Sequence, residues 1–237
     1  MPLRHRMMVA GIRMTPDQLE NAGFHVGDAE HARLSRFVEL LLAENERTNL
    51  TAVREAGGVW ALHVCDSLTL LPLVGRFKPR TVVDLGTGGG VPGLPLACVL
   101  PEVQFTLIDA TRKKIEAVER IGRGLGLANC RYVWGRGEAL AHEPPHRERY
   151  DVVIARAVAS IDDLARYASG LVRPGGQAWF MKSCQAAEAE RRAAERATTR
   201  LQLIYRATET VRLPEPHGER AILVYEKRGV LPSGLPK

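Results

Sequence analysis

The stretch Val82-Val83-Asp84-Leu85-Gly86-Thr87-Gly88-Gly89-Gly90-Val91-Pro92-Gly93 constrains this chain more than any other. A β-branched run drops into glycines, and an apolar segment, residues 94–100, follows. That is a strand, a tight turn and the start of a helix. Glycine lets the backbone take positive φ and lets a ligand approach closer than a Cβ would allow. From residue 81 onward the same rhythm repeats. The patterning predicts strands at residues 81–85, 104–109, 130–134, 151–155 and 177–182. Helices are predicted between them, at 92–100, 112–125, 161–171 and 186–196. Such alternation implies an α/β fold, a Rossmann-like doubly wound and mostly parallel sheet with right-handed crossovers. Two late runs, 201–207 and 220–225, can close it as an antiparallel end.

Upstream the pattern is helical. Thr15-Pro16-Asp17 reads as an N-cap with proline at the first helical position. Residues 31–45 place Leu34, Phe37, Val38, Leu41 and Leu42 on one face, and a second apolar helix is predicted over 59–73. The chain then divides into a basic extension without fixed structure (1–14), an N-terminal helical cap (15–74), the α/β domain (75–228) and a loose tail (229–237).

The 33 Lys and Arg outnumber the 27 acids, for a net charge of +6. Most of the cations are arginines, whose planar forks suit phosphate and base edges. Cys65, Cys98, Cys130 and Cys184 form no C-x-x-C pair, which favours reduced thiols over a disulfide frame or a zinc site. No metal site is expected. The N-terminus lacks the apolar core of a signal peptide, and no apolar run is read as approaching the ~18–20 residues needed to span a bilayer. The expectation is a soluble cytoplasmic protein with no membrane partner.

In an open α/β sheet the ligand sits beyond the carboxyl ends of the strands, at the point where strand order reverses. The glycine turn, with Gly86, Gly88, Gly90 and Val91, ends the first strand, so a pocket should open there. The second strand ends in Asp109, placed to accept the hydroxyls of a ribose. Asp84 helps choose the cofactor, since an acid at the mouth of the turn would repel a pyrophosphate and welcome a cationic sulfonium. Its structural alternative is a carboxylate capping nearby backbone N–H groups. At the third strand end, Gly137 and Glu138 are candidates for an adenine, although Glu138 reads equally as a helix-start acid.

The D-x-G-x-G-x-G spacing resembles motif I of the S-adenosylmethionine-dependent methyltransferases. The wider set is more specific: Asn49-Leu50-Thr51, His63 with Asp66-Ser67, the double-proline turn continuing into Leu94-Pro95-Leu96, Ala155-Arg156-Ala157-Val158-Ala159, and Met181-Lys182. These residues resemble the RsmG (GidB) family, bacterial methyltransferases of guanine N7 in 16S ribosomal RNA, and the matches run from about residue 34 to 226. Asp109-Ala110-Thr111-Arg112-Lys113-Lys114 also looks like the family.

The resemblance implies a class I methyltransferase fold with S-adenosylmethionine as cofactor, leaving S-adenosylhomocysteine, and 16S rRNA or the small ribosomal subunit as partner. Gly86 and Val91 would line the methionine and ribose region. Asp109, Ala110 and Thr111 would hold the ribose and adenosine end, and Gly137 and Glu138 would meet the adenine. Arg156 would close the side shared by cofactor and substrate, and Arg136 and Arg156 would handle the target guanine or its phosphates. Asn49, His63 and Lys182 match positions near the pocket. Without the resemblance, His63 reads as a core histidine. The chain departs from the family at Glu44, where a Trp is common, at Leu62, where an Arg is common, and at Ser183, where a Gly is common.

Guanine N7 carries a free lone pair, so methylation there needs no general base and catalysis reduces to in-line positioning. N7 faces the deep A-form groove, so the target should be a loop or an opened helix, the decoding-region loop that the family modifies. Other chemistries fit less well. Exocyclic amine methylation wants an N/D-P-P-Y-like motif where this chain has Ala155-Arg156-Ala157. Cytosine C5 methylation needs a thiolate, for which Cys184 is the one candidate. An NAD(P)-binding oxidoreductase and a non-enzymatic RNA-binding protein complete the alternatives.

Overall fold

The computed structural model describes residues 14–156 and 159–230. Thirteen of the residues assigned to the basic extension, most of the tail, and Ala157 and Val158 lie outside these. The described chain opens on α1 (Pro16–Asn21), where Thr15 and Gln18 form a reciprocal capping box, as the Thr15-Pro16 signal requires. Met14, counted with the extension by sequence, is instead buried, and its carbonyl pairs with His31 Nε2 at 2.6 Å. Next comes α2 (Asp28–Asn45).

The predicted second helix is longer and less regular than its pattern suggested. It runs as α3 (Ala56–Val59), a π-helical turn (Trp60–Cys65), α4 (Asp66–Leu68) and α5 (Leu71–Phe77). Pro72, which has no N–H to give, falls in the first turn of α5 and accounts for the break before it. Lys78 ends the run in a left-handed conformation (φ 53°), so the helix passes the predicted end at 73 by four residues. Ala56–Phe77 runs 22 residues and contains an 18-residue window of mean hydropathy 1.4, long and apolar enough to cross a membrane, contrary to the sequence expectation. Yet 72% of that window is buried inside the protein, where it serves as core.

The remainder alternates through β1 (Thr81–Leu85), α6 (Gly93–Val99), β2 (Gln104–Asp109), α7 (Arg112–Gly124), β3 (Cys130–Trp134), α8 (Gly137–Leu140), β4 (Tyr150–Arg156), α9 (Ile161–Leu171), β5 (Val172–Ser183), α10 (Cys184–Arg200), β6 (Leu203–Arg212) and β7 (Glu219–Lys227), as predicted except that α8 was not foreseen and β5 begins five residues early. The seven strands lie in the order β3-β2-β1-β4-β5-β7-β6. The first five pair in parallel, and β7 inserts antiparallel between β5 and β6. Strand order reverses between β1 and β4, which puts the crevice beyond the glycine turn.

Alternation along the strands divides the core between the two sheet faces. Val82, Phe105, Leu107, Val152, Ile154, Trp179 and Met181 pack with α6, α7 and the N-terminal helices. Val83, Leu85, Ile108, Val153, Ala155 and Phe180 pack with α9 and α10. The N-terminal helices therefore share one continuous apolar cluster with the first sheet face. Asp84 lies on that same face, in register with Val82.

Candidate active site

The turn after β1 takes positive φ at Gly86 (71°), Gly88 (57°) and Gly90 (84°), a conformation that side chains with a Cβ resist. It is tied back to β2 by the amides of Gly86 and Thr87, which both donate to Ile108 O at 2.9 Å. Asp84 sits beneath it, 1% exposed. Its Oδ2 accepts from Thr87 Oγ1 at 2.6 Å and from the Gly93 amide at 2.9 Å. A Cβ on Gly93 would fall 2.8 Å from that oxygen, so the approach requires glycine. The capping reading of Asp84 is thus realised, and the side chain lies under the turn rather than at its mouth. Its Oδ1 is buried with no hydrogen-bond partner among the described residues. Burial pushes the Asp84 carboxyl up to about 6.

Asp109 ends β2 alongside. Its Oδ2 accepts from the Gly88 amide at 3.0 Å and its Oδ1 from the Thr111 amide at 2.7 Å. Each oxygen keeps a lone pair for a further donor. Ala110 and Thr111 follow as an exposed ledge. Gly135 donates to Asp109 O at 3.0 Å, which brings the β3 end against it. Gly137 packs where a Cβ would meet Leu85 at 2.5 Å. Glu138 shares a hydrogen bond with the Tyr167 hydroxyl, which pushes that phenol up to about 12.

The opposite wall comes from the N-terminal helices and β4. A cleft of about 110 Å³ opens between Gly86–Gly89 and Val91 on one side and Leu41, Leu50, Thr51, His63 and Arg156 on the other. His63 therefore faces the cleft and is not simply a core residue. Its Nε2 lies 2.7 Å from Thr51 Oγ1, while Nδ1 lies 3.4 Å from Arg156 Nη2. Since guanidinium can only donate, Nδ1 accepts and the imidazole proton sits on Nε2. Burial, with the Arg156 charge behind it, lowers the His63 imidazole to about 4, so the ring is neutral at pH 7.

Arg156 is fixed from the N-terminal helices. Its Nη1 donates to Leu62 O at 2.7 Å and to Asp66 Oδ2 at 3.0 Å. Asp66 is 2% exposed, and its other oxygen lies 3.5 Å from Arg220 Nε at the start of β7. One carboxylate thus joins the helical layer to both β4 and β7. Asp66 and Arg220, unlike Arg156, were assigned no role by sequence. Asp66 follows His63 by one helical turn, a signal that could have been read, whereas nothing local marks Arg220. Glu44, in place of the family's Trp, forms a two-pronged bridge from α2 to Arg120 of α7 at 3.0 and 2.8 Å.

Not every candidate reaches the cleft. Asn49 lies in an adjoining depression with Leu50, Thr51 and Ala52, where its Oδ1 accepts from Arg54 Nη2 at 3.1 Å. Lys182 is held by Glu190 at 2.8 Å and by Ala159 O, and is not among the cleft-lining residues. Arg136 is exposed at the start of α8. Cys184, the first residue of α10, is also absent from the cleft lining, and burial and Glu219 raise its thiol, which opposes a nucleophilic role. Among the described residues, no group of three or more His, Cys, Asp or Glu is placed to hold a metal.

Comparison with known proteins places this site in context. Residues 30–217 match the family model described as rRNA small subunit methyltransferase G (GidB). The chain is 42% identical over 198 residues to the ribosomal RNA small subunit methyltransferase G of Deinococcus deserti, covering 84% of this chain and 81% of that one. It is 34% identical over 221 residues to the protein of that name from Alkaliphilus metalliredigens, covering 93% and 92%. Among solved structures, fibrillarin from Aeropyrum pernix, which carries natively bound S-adenosylmethionine, superposes with a TM-score of 0.50 at 13% identity, over 62% of this chain and 66% of that one. At such identity the likeness concerns the fold alone.

Proposed function

The chain belongs to the rRNA small subunit methyltransferase G family, and from that premise we propose that it methylates N7 of one guanine in the decoding-region loop of 16S rRNA. Family membership makes it an S-adenosylmethionine-dependent methyltransferase and sets aside the oxidoreductase and non-enzymatic readings. The observation that carries the finer assignment is the character of the cleft wall. Among the described residues no carboxylate lines it, and the one titratable base that does, His63, is too weakly basic to take a proton at pH 7. A wall of that kind suits a nucleophile that already offers a lone pair, as guanine N7 does, and disfavours amine or carbon nucleophiles that must lose a proton.

The residues present fit S-adenosylmethionine. Asp109, with a spare lone pair on each oxygen, would accept the ribose hydroxyls, and Ala110 and Thr111 would flank them. Gly137 and Glu138 would meet the adenine. Gly86, Gly88, Gly90 and Val91 leave the room that a methionine chain requires. Asp84 would act from beneath the turn, holding Thr87 and Gly93 so that this room is kept. The small cleft would take the reacting end and not the whole cofactor, whose nucleoside would lie along the exposed ledge. When bound, S-adenosylmethionine supplies an electrophilic methyl on a cationic sulfur.

Arg156, clamped by Asp66 and Leu62, would hold the guanine edge or its phosphate in line with that methyl, with Arg136 contributing from the β3 end. Thr51 and His63 would exclude water beside it. Asn49 would meet the substrate at the neighbouring depression, and Lys182 would act by fixing the segment after β4. Residues 15–74 would serve as a cap over the domain of residues 75–228, with the RNA entering between them. Acting on ribosomal RNA, the enzyme would work in the bacterial cytoplasm.

The test is incubation with methyl-labelled S-adenosylmethionine and unmethylated 30S subunits, naked 16S rRNA or tRNA. Label should enter 16S rRNA alone, and Arg156→Ala should reduce the rate at least a hundredfold while the fold survives (on the order of the loss seen when one transition-state contact is removed). Label in tRNA, or an Arg156→Ala enzyme of full activity, would contradict the assignment.

A further inference from the structure

Trp134 ends β3 and is 59% exposed, although Trp60 and Trp179 are buried at 1% and 0%. Soluble proteins rarely spend a tryptophan on solvent at a site edge without a partner for its face. The ring is not loose. Its Nε1 donates to Ala110 O at 3.1 Å, so the indole is fixed one residue beyond Asp109. The Arg112 guanidinium stands 5.5 Å from the ring centroid and is itself anchored by Glu116 at 2.8 Å. The next residues of α7, Lys113 and Lys114, and Arg136 just after the strand, have side chains without an ion pair or hydrogen bond among the described residues. A fixed, exposed aromatic face with Arg112 against it, and acid-free cations adjoining both in sequence, matches an unstacked base with its flanking phosphates.

We propose that Trp134, flanked by Arg112, is a stacking platform for an unpaired base of the RNA next to the target guanine, with Lys113, Lys114 and Arg136 holding the adjoining phosphates. The proposal rests on the RNA methyltransferase reading and adds to it where the strand outside the cleft is held. Contacts link the platform to the cleft through Ala110, Asp109 and Gly88. RNA on it therefore lies beside the bound nucleoside and not on a remote face. A platform there selects for single-stranded RNA, because a base within a duplex has no free face.

Three tryptophans, two of them buried, make the test direct, since the fluorescence accessible to acrylamide belongs to Trp134. Full-length protein is titrated with S-adenosylmethionine, with a short guanine-containing single-stranded RNA, and with the same RNA paired to its complement. The single strand should shield the accessible fluorescence, whereas the cofactor and the duplex should not. Trp134→Ala should weaken single-strand binding about tenfold to a hundredfold, as loss of one base–aromatic stack does. Trp134→Phe should retain binding within about threefold of wild type, because a phenyl ring still stacks.

Replacing both Lys113 and Lys114 by alanine should flatten the slope of log affinity against log salt by about 0.7 per lost phosphate contact. Shielding by S-adenosylmethionine alone would make Trp134 part of the cofactor site and overturn the proposal. A Trp134→Phe protein as weak as Trp134→Ala would reduce Trp134 to a prop for Ala110 and overturn it equally. Full RNA affinity in Trp134→Ala, with 16S rRNA still methylated, defeats the platform and leaves the assigned activity standing. Absence of any rRNA methylation by the wild type defeats the activity itself.

Discussion

Asp84 holds the glycine turn at a cost that depends on pH. Buried beneath Thr87 and Gly93, its carboxyl is raised from 3.8 to about 6, chiefly by burial. Below pH 3.8 it is protonated in folded and unfolded chains alike. As pH rises toward 6 the unfolded chain gives up the proton first, so folding loses up to about 3 kcal/mol, a loss complete above pH 6. His63 acts in the opposite sense. Its lowered value gives stability that is full above pH 6.5 and is lost as pH falls toward 4. Comparing wild type with Asp84→Asn isolates the first effect, because His63 is common to both. The difference in urea unfolding free energy between them should shift by about 2 kcal/mol from pH 4 to pH 6.5, to the detriment of the wild type. Parallel profiles would show that Asp84 is not the buried acid described. The type of residue at this position was legible in sequence, but its orientation was not. An acid two residues before a glycine turn can point out to a ligand or down to the turn's own amides, and only the burial of β1 decides.

At the scale of elements, the parallel strands and their helices were legible because each announces itself locally, through short apolar runs buried on both sides and the 3.6-residue stripe of α7 and α9. Ala56–Phe77 was less so. Its apolar run is buried on most sides, and periodicity then cannot place a π-helical turn or the break at Pro72. The late hairpin of β6 and β7 was foreseen as antiparallel but predicted too short, since alternation in β6 is exposed and weakly apolar. One packing contact between elements makes a sharp prediction. A Cβ on Gly122 of α7 would stand 1.7 Å from Tyr132 Oη on β3 and 2.7 Å from its ring carbon. Gly122→Ala should therefore destabilise the fold by about 3 kcal/mol in urea unfolding, the upper range for overpacking. Adding Tyr132→Phe should restore part of that, by removing the closer clash and a buried hydroxyl that has no hydrogen-bond partner among the described residues. A Gly122→Ala protein as stable as wild type would mean that α7 does not seat on β3 as described.

For the whole molecule, the decisive arrangement is one that no local pattern contains. The helices before β1 share the core of the first sheet face, and Asp66 ties them to Arg156 of β4 and Arg220 of β7. The glycine turn, Asp109 and Arg156 could be found from motif and strand position. The bond of Arg156 to a helix ninety positions earlier could not, because sequence separation hides it. That bond gives the cleft a cationic wall without a usable base, and from it follows the central claim of transfer to guanine N7. The most direct measurement is to methylate unmodified 30S subunits, reduce the RNA with borohydride, cleave it with aniline, which breaks the chain at 7-methylguanosine, and map the ends by primer extension. One new stop is expected, at a guanine of the decoding-region loop in 16S rRNA, with the label recovered as 7-methylguanosine. A label recovered as 5-methylcytidine or an exocyclic methylguanosine, with no cleavage, would contradict it.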